Sequence, residues 1–213
     1  SLTEANRLTI GEGMVLATLR ENFSAASGEP YGRPNVNIGV IQYQTEGGAG
    51  ATTWLAQAAG PENNGELSVF LGAAFFPYDS GWRGASFNAG GGAPTSGSAD
   101  IQTTGSGGVY QATVAGVSDS FNDGFLFGIG GDNEDNYTRT QPIEGGRWRV
   151  QHRDNSAEIG GSESDNFNLM FIPRDAQGLI GGVVSGGSTA VNPMLQSFGD
   201  FNIVRESDGF WRL

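Results

Sequence analysis

The stretch "FFPYDSGWRGASF" at residues 75–87 is echoed by "FIPRDAQGLIGGVV" at residues 171–184. Each begins with a bulky apolar pair and a proline, continues through a turn with Asp and Gly, and ends in small or apolar residues. A proline can end a strand but is excluded from a central ladder, so Pro77 and Pro173 are predicted to end two strands. The same strand–turn–strand unit is therefore expected twice in one chain.

Two further segments repeat in the same order along the chain. "GMVLATLREN" at residues 13–22 resembles "GFLFGIGGDN" at residues 124–133. Similarly, "VIQYQ" at residues 40–44 matches "RVQHR" at residues 149–153 in pattern. Because the echoes run collinearly, the simplest interpretation is a tandem duplication with two diverged copies of about 100 residues.

Each copy is predicted to be β, the first over residues 1–105 and the second over residues 106–213. "YQATVAGV" at residues 110–117 and "FNIVRES" at residues 201–207 alternate at period two, and clusters rich in Gly, Asn and Asp separate the apolar runs. Strands spaced by about ten residues are typical of sandwiches and barrels. We therefore expect an all-β, antiparallel β-sandwich of jelly-roll type, with the copies as two units or packed as a single domain.

Composition and charge limit the classes of partner. The 213 residues include 36 Gly and no Cys, and all 11 basic residues are Arg, so disulfides and thiolate metal sites are excluded. A net charge of −12 argues against nucleic acid and anionic membranes as partners. No apolar run approaches the roughly 20 residues that span a bilayer, so membrane insertion is not expected. The composition suits an exported protein, extracellular or at the cell surface, with any signal peptide already removed.

No catalytic site is expected. His152 is the only histidine, no G-x-S-x-G elbow is present, and a His-rich zinc site would need more ligands. His152 lies in the alternating segment "WRVQHRD" and is interpreted as a surface histidine of a strand. The protein is therefore predicted not to be an enzyme.

An acidic loop could bind calcium. "GDNEDNYTR" at residues 131–139 carries Asp132, Glu134 and Asp135, and Asp123 lies shortly before it. Calcium takes six to eight oxygen ligands, which this loop could supply, although the spacing is not that of an EF-hand. The alternative is that Asn and Asp simply form turns here.

Two tryptophan–arginine pairs could bind a glycan. Trp82 with Arg83 and Trp148 with Arg149 would offer stacking surfaces beside a cation, as exposed aromatics do in carbohydrate-binding modules. The alternative is that alternating aromatics of the strands pack the core of the sandwich.

A run of motifs in the second half matches a known pattern. The matching residues, in chain order, are Asp123-Gly124, Gly130-Gly131, Asn133-Glu134-Asp135-Asn136-Tyr137, Trp148, Val150, Asp154-Asn155, Glu163, Asp165, Phe167 and Pro173. They resemble a Gly-rich β domain of predicted exported proteins from environmental bacteria, some with C-terminal sorting signals. Arg147 stands where that group has Gly before Trp. Together with "FFPYDSGWRGASF", the likeness spans about residues 65–213, and it implies export and a β fold without transferring any catalytic residue.

The leading prediction is a secreted structural protein that assembles head to tail with copies of itself into a filament or surface layer. Terminal β-strands of neighbouring chains would pair by main-chain hydrogen bonds, and such a contact does not close. The expected subunit contact consists of Arg7, Leu8, Thr9 and Ile10 of one chain beside Phe210, Trp211, Arg212 and Leu213 of another. The alternative is an adhesin-like module that binds extracellular glycans, with or without calcium.

Overall fold

The structure is a computed structural model, and it describes residues 12–20, 37–43, 53–59, 70–78, 81–131, 136–153, 161–176, 181–184, 194–198, 203–207 and 210–212. The first eight strands are β1 (Gly13–Arg20), β2 (Asn37–Tyr43), β3 (Thr53–Ala59), β4 (Phe70–Pro77), β5 (Arg83–Phe87), β6 (Ser96–Gly97), β7 (Ile101–Ser106) and β8 (Val109–Val114). They are followed by β9 (Gly124–Gly130), β10 (Tyr137–Ile143), β11 (Arg147–Arg153), β12 (Phe167–Pro173), β13 (Gly181–Val184), β14 (Met194–Phe198), β15 (Val204–Ser207) and β16 (Phe210–Arg212). No helix in the described part of the chain is long and apolar enough to cross a membrane.

Two sheets form a sandwich, which confirms the predicted all-β antiparallel fold. One sheet has the order β10-β11-β8-β7, and the other has the order β3-β2-β9-β12-β5-β6. Neighbouring strands are antiparallel, except that β2 and β9 meet as parallel strands at Gly39 and Gly130. We call the eight strands β5–β12, residues 83–173, the central sandwich. Its core is filled by Ala85, Phe87, Ile101, Tyr110, Ala112, Val114, Leu126, Trp148, Val150, Phe167, Leu169 and Phe171.

Alternation along the strands produces this core. In β8, Tyr110, Ala112 and Val114 are buried while the residues between them are exposed. In β12, by contrast, all residues from 167 to 172 are buried. Because successive side chains of a strand point to opposite faces, β12 must be covered on both sides.

A third layer covers the outer face of β12. Met14 of β1 packs with Met170 and Ile172 of β12, and partly buried neighbours surround them. β1 pairs with β4, so this strand pair lies against the side of the sheet that faces away from the central core. A run of bulky apolar residues in β12 is thus used on both faces.

Three prolines lie at strand ends or on an edge strand. Pro77 and Pro173 are the last residues of β4 and β12, as expected from the sequence. Pro142 lies within β10, which is the edge strand of its sheet, the place where a strand tolerates proline.

The expected copy boundary at residues 105/106 falls inside the central sandwich. Ser106 is the last residue of β7, which pairs with β8, and β5 pairs with β12. Strands from both sides of the boundary therefore share one core. The two groups that pack together are β5–β8 and β9–β12, and each group is continuous in sequence.

Several strand pairs share one register. Gly13 lies opposite Pro77 in the β1–β4 pair, and Gly124 lies opposite Pro173 in the β9–β12 pair. The hydrogen bonds just outside these pairs also correspond: Tyr78 N–H to the Glu12 carbonyl at 2.9 Å, and Arg174 N–H to the Asp123 carbonyl at 2.9 Å. The segments that echo in sequence thus have corresponding positions in their ladders.

The next two strand pairs also correspond, with a change to one expected match. The β2–β3 ladder and the β10–β11 ladder each have seven residue pairs. The first begins at Asn37–Ala59 and ends at Tyr43–Thr53. The second begins at Tyr137–Arg153 and ends at Ile143–Arg147. Trp54 of β3 and Trp148 of β11 occupy the same place in the two ladders. The registers therefore match β11 with β3. The sequence echo between residues 40–44 and residues 149–153 had instead matched β11 with β2.

The remaining pairs correspond in the same way. β5 pairs with β6 as β13 pairs with β14, and β7 pairs with β8 as β15 pairs with β16. Gly105 lies opposite Tyr110 in β7–β8, and Arg205 lies opposite Trp211 in β15–β16. The C-terminal ladders differ from those of β5–β6 and β7–β8 by register shifts, one between Val183 and Val184 and one between Arg205 and Ser207. The strand order β1–β8 thus matches the strand order β9–β16.

Candidate functional site

The candidate site is the edge of β4 that faces away from β1. β12, the strand that corresponds to β4, has β9 on one side and β5 on the other. β4 has β1 on one side, and within the described residues no strand lies on its other side. An unpaired edge presents main-chain N–H and C=O groups to any strand that fits beside it. We call this the β4 edge.

The β4 edge lacks the features that usually block strand addition. Its sequence, "FLGAAFFP", contains no charged residue, and its proline is the last residue of the strand. Exposed edges are commonly protected by charged side chains, central prolines or bulges. The small residues Gly72, Ala73 and Ala74 also allow another backbone to approach closely.

One face of the β1–β4 pair is less covered than its counterpart in the central sandwich. Ala73 is exposed, whereas Leu169, at the corresponding place of β12, is fully buried. Val15 and Phe75 are half-buried, whereas their counterparts Leu126 and Phe171 belong to the core. The positions that form a core in one strand pair are therefore less covered in the other.

The C-terminal strands form two separate pairs. β13 pairs with β14, and β15 pairs with β16, and in the described part of the chain neither pair extends a larger sheet. Of the predicted subunit contact, Phe210, Trp211 and Arg212 form β16. Leu213 and the N-terminal residues Arg7, Leu8, Thr9 and Ile10 lie outside the described residues.

Asp123 organises a turn. Its Oδ2 accepts hydrogen bonds from the N–H groups of Ser118 at 3.0 Å and Asp119 at 2.9 Å. Asp119 in turn accepts from the Asn122 amide at 2.7 Å and the Phe121 N–H at 2.9 Å, and these hydrogen bonds lower the pKa of its carboxyl. The turn interpretation of these acids thus has direct geometric support.

Calcium stays a prediction for the acidic loop. Asp132, Glu134 and Asp135 lie outside the described residues. Among the residues that are described, no group of three or more His, Asp or Glu side chains is placed to hold a metal ion.

The two tryptophan–arginine pairs have different surroundings. Trp148 is 2% exposed and contacts Phe171 edge to face, with centroids 5.6 Å apart, so its ring is part of the core. Trp82 is half-buried and packs on Phe76 at 4.7 Å between centroids. Arg149 is exposed on the opposite face of β11 from Trp148. The core-packing alternative therefore describes Trp148, and no stacking platform joins the two tryptophans.

Arg83 joins the two sheets at one end of the central sandwich. Its Nη1 donates to the Ala115 carbonyl at 2.6 Å and lies 3.7 Å from the Asp100 carboxylate. Its guanidinium lies 4.9 Å from the ring centroid of Phe171. These intramolecular contacts give Arg83 a structural role.

His152 is buried, so its interpretation as a surface histidine is wrong. It is 1% exposed because β11 alternates with Trp148, Val150 and His152 facing inward. Its Nδ1 lies 2.7 Å from Thr138 Oγ1, and its Nε2 lies 3.9 Å from Asp165 Oδ2. The Asn136 amide donates to the same carboxylate oxygen. This polar cluster ties β10, β11 and the segment before β12 together.

Sequence reasoning missed the β4 edge, although a signal for it was present. "TWLAQAA" at residues 53–59 and "RWRVQHR" at residues 147–153 share Trp and Gln at the same spacing, and "EGG" precedes both. This echo matches β3 with β11 and so indicates that β1–β4 and β9–β12 are corresponding groups of four strands. Which group packs with which is a tertiary property that the echo does not carry.

Comparison of the chain with protein-family models, with curated proteins and with solved structures gives no match.

Proposed function

We propose that the protein is a secreted structural protein that assembles end to end with copies of itself through its terminal strands. The observation that carries the proposal is the construction of the central sandwich. Its β9–β12 half is completed by β5–β8, a group that precedes it in the chain. One group of four strands thus serves as the partner of another group of four.

The chain has a second pair of such groups at its two ends. We call β1–β4 the N-terminal half and β13–β16 the C-terminal half of a sandwich that two chains would share. Their internal strand pairs correspond to those of β9–β12 and β5–β8, which supports two diverged copies. The C-terminal half of one chain would complete the N-terminal half of the next, as β5–β8 complete β9–β12.

This mode of contact produces a linear polymer. The two surfaces are different and lie at different ends of the strand order, so the contact is heterologous. A heterologous contact builds an open filament unless the rotation between neighbouring chains closes a ring. Strand addition supplies main-chain hydrogen bonds without covalent links, which suits a chain without Cys or Lys. The net charge of −12 would keep neighbouring filaments apart laterally.

The proposal is tested by size and shape in solution. Sedimentation velocity over a range of protein concentrations should show species far above the 22.2 kDa of one chain, and negative-stain electron microscopy should show regular fibres. A single species of one chain's mass at every concentration contradicts the proposal.

A deletion tests the role of the N-terminal segment. Removing residues 1–10 should abolish assembly if Arg7 to Ile10 pair with β16, as the sequence predicts. Far-ultraviolet circular dichroism should remain that of a β protein, since the central sandwich is intact. Assembly that survives the deletion excludes these residues from the contact.

A further inference from the structure

We infer that β13 of one chain pairs antiparallel with the β4 edge of the next chain, in the register that β5 and β12 adopt within a chain. The inference rests on the proposed function and specifies its contact.

The template is the ladder between β5 and β12. Phe87 lies opposite Phe167, and Ser86 lies opposite Asn168. The side chains of the second pair touch, since Ser86 Oγ donates to Asn168 Oδ1 at 2.5 Å. Side chains at this place in the ladder are therefore within bonding distance across the two strands.

The corresponding positions follow from the matched registers. Pro173 corresponds to Pro77, an offset of 173 − 77 = 96, so Asn168 corresponds to Gly72. Ser86 corresponds to Val183, because Gly84-Ala85-Ser86-Phe87 of β5 aligns with Gly181-Gly182-Val183-Val184 of β13 in the two echoed segments. Gly72 of one chain is therefore expected opposite Val183 of the next.

A second ladder follows from β8 and β11. Val150 lies opposite Tyr110 in the central sandwich. Trp211 corresponds to Tyr110, and Ala56 corresponds to Val150, so Trp211 is expected opposite Ala56 of the neighbouring chain. β16 would thereby lie between β15 of its own chain and β3 of the neighbour, so β3 takes the place predicted for Arg7 to Ile10, and both sheets of the terminal sandwich would be shared between chains.

The occupant is a second copy of this chain. In the structure the chain's own β13 pairs with β14 and does not lie on the β4 edge. The exposed Ala73 shows that the face beside this edge is also open. The β4 edge corresponds to the edge of β12 that β5 occupies. β13 corresponds to β5, because β13 pairs with β14 as β5 pairs with β6.

Disulfide formation tests this register, because the chain contains no cysteine of its own. The full chain carrying both Gly72→Cys and Val183→Cys is assembled under reducing conditions and then oxidised. A linked pair needs Cα atoms within about 7 Å, which directly opposite residues of antiparallel strands satisfy. Non-reducing electrophoresis should show a ladder at multiples of the chain mass.

A matched control carries Ala73→Cys with Val183→Cys. A shift by one residue moves a side chain to the other face of the strand, so this pair should link at least tenfold less. Ala74→Cys with Gly181→Cys, the next pair on the same face, should form the ladder as well. This second pair keeps the test valid if Gly72→Cys disturbs assembly.

The other outcomes each overturn a defined part. A fast-migrating monomer with an internal disulfide would make the chain's own β13 the occupant, and with particles of one chain's mass it would overturn the proposed function too. High-mass assemblies without a ladder would overturn the register and leave the proposed function standing. Equal linking by the test and control pairs would also overturn the register.

Discussion

Gly124 lies directly opposite Pro173 at the end of the β9–β12 ladder, and the space there excludes a side chain. A Cβ at Gly124 would lie 2.5 Å from the Ile172 carbonyl oxygen and 2.6 Å from Cζ of Phe171. Gly13 has the same surroundings, since a Cβ there would meet the Phe75 ring and the Phe76 carbonyl. The glycine that begins both echoed segments is thus explained by an aromatic ring packed over its Cα.

We expect Gly124→Ala to lower the free energy of unfolding by about 2 kcal/mol, because the Phe171 ring and the strand must shift. Urea denaturation followed by tryptophan fluorescence measures the change. Gly90→Ala is the matched control, since no atom lies within 4 Å of its added Cβ. Equal effects of the two substitutions would show that close packing is not the reason for Gly124.

Local patterns in the sequence indicated some of the strands and two of their ends, but not their partners. Alternation in β8 and the prolines at residues 77 and 173 are local signals, and the structure agrees with them. The pairing of β5 with β12 joins segments about 80 residues apart, and no local pattern encodes that choice. His152 was misjudged for a similar reason: its inward direction was readable from Trp148 and Val150, but its partner Thr138 lies on another strand.

We expect Thr138→Val to lower the free energy of unfolding by about 1–3 kcal/mol, because it replaces the hydroxyl 2.7 Å from His152 Nδ1 with a methyl group. The volume is nearly unchanged, so the effect reports on the polar contact. Thr104→Val on β7 is the control, because Thr104 is exposed. The midpoints of thermal unfolding of the two variants are compared, and a Thr138→Val midpoint no lower than that of the control contradicts a structural role for the contact.

We expect Arg83→Lys to destabilise the protein by about 1 kcal/mol, because an ammonium cannot both donate to the Ala115 carbonyl and lie flat over Phe171. Asp100→Asn should cost less than about 0.5 kcal/mol, since the Asp100 side chain is 53% exposed and such ion pairs contribute little. Urea denaturation of both variants separates the contacts. A larger loss for Asp100→Asn than for Arg83→Lys would make the ion pair the main contribution.

Tyr78 follows β4 in the connection to β5 and belongs to the cluster around Met14 and Met170, which holds the β1–β4 pair against the sheet. Burial raises the pKa of its phenol from 10.0 to about 12. Because the folded state binds this proton more tightly than the unfolded state, its contribution to stability is complete below pH 10 and is lost as pH rises through about 12. Because the phenol is partly exposed to solvent, this loss is on the order of 1 kcal/mol.

Tyr78→Phe removes this titration and keeps the ring. We therefore expect the difference in unfolding free energy between the wild type and Tyr78→Phe to be constant up to about pH 10 and then to change in favour of the variant. Urea denaturation at stepped pH values measures both proteins, and the other tyrosines cancel in the difference. Parallel curves over this range would mean that the phenol is not desolvated. The contact of the β1–β4 pair with the sheet would then be looser than the packing of Met14 indicates.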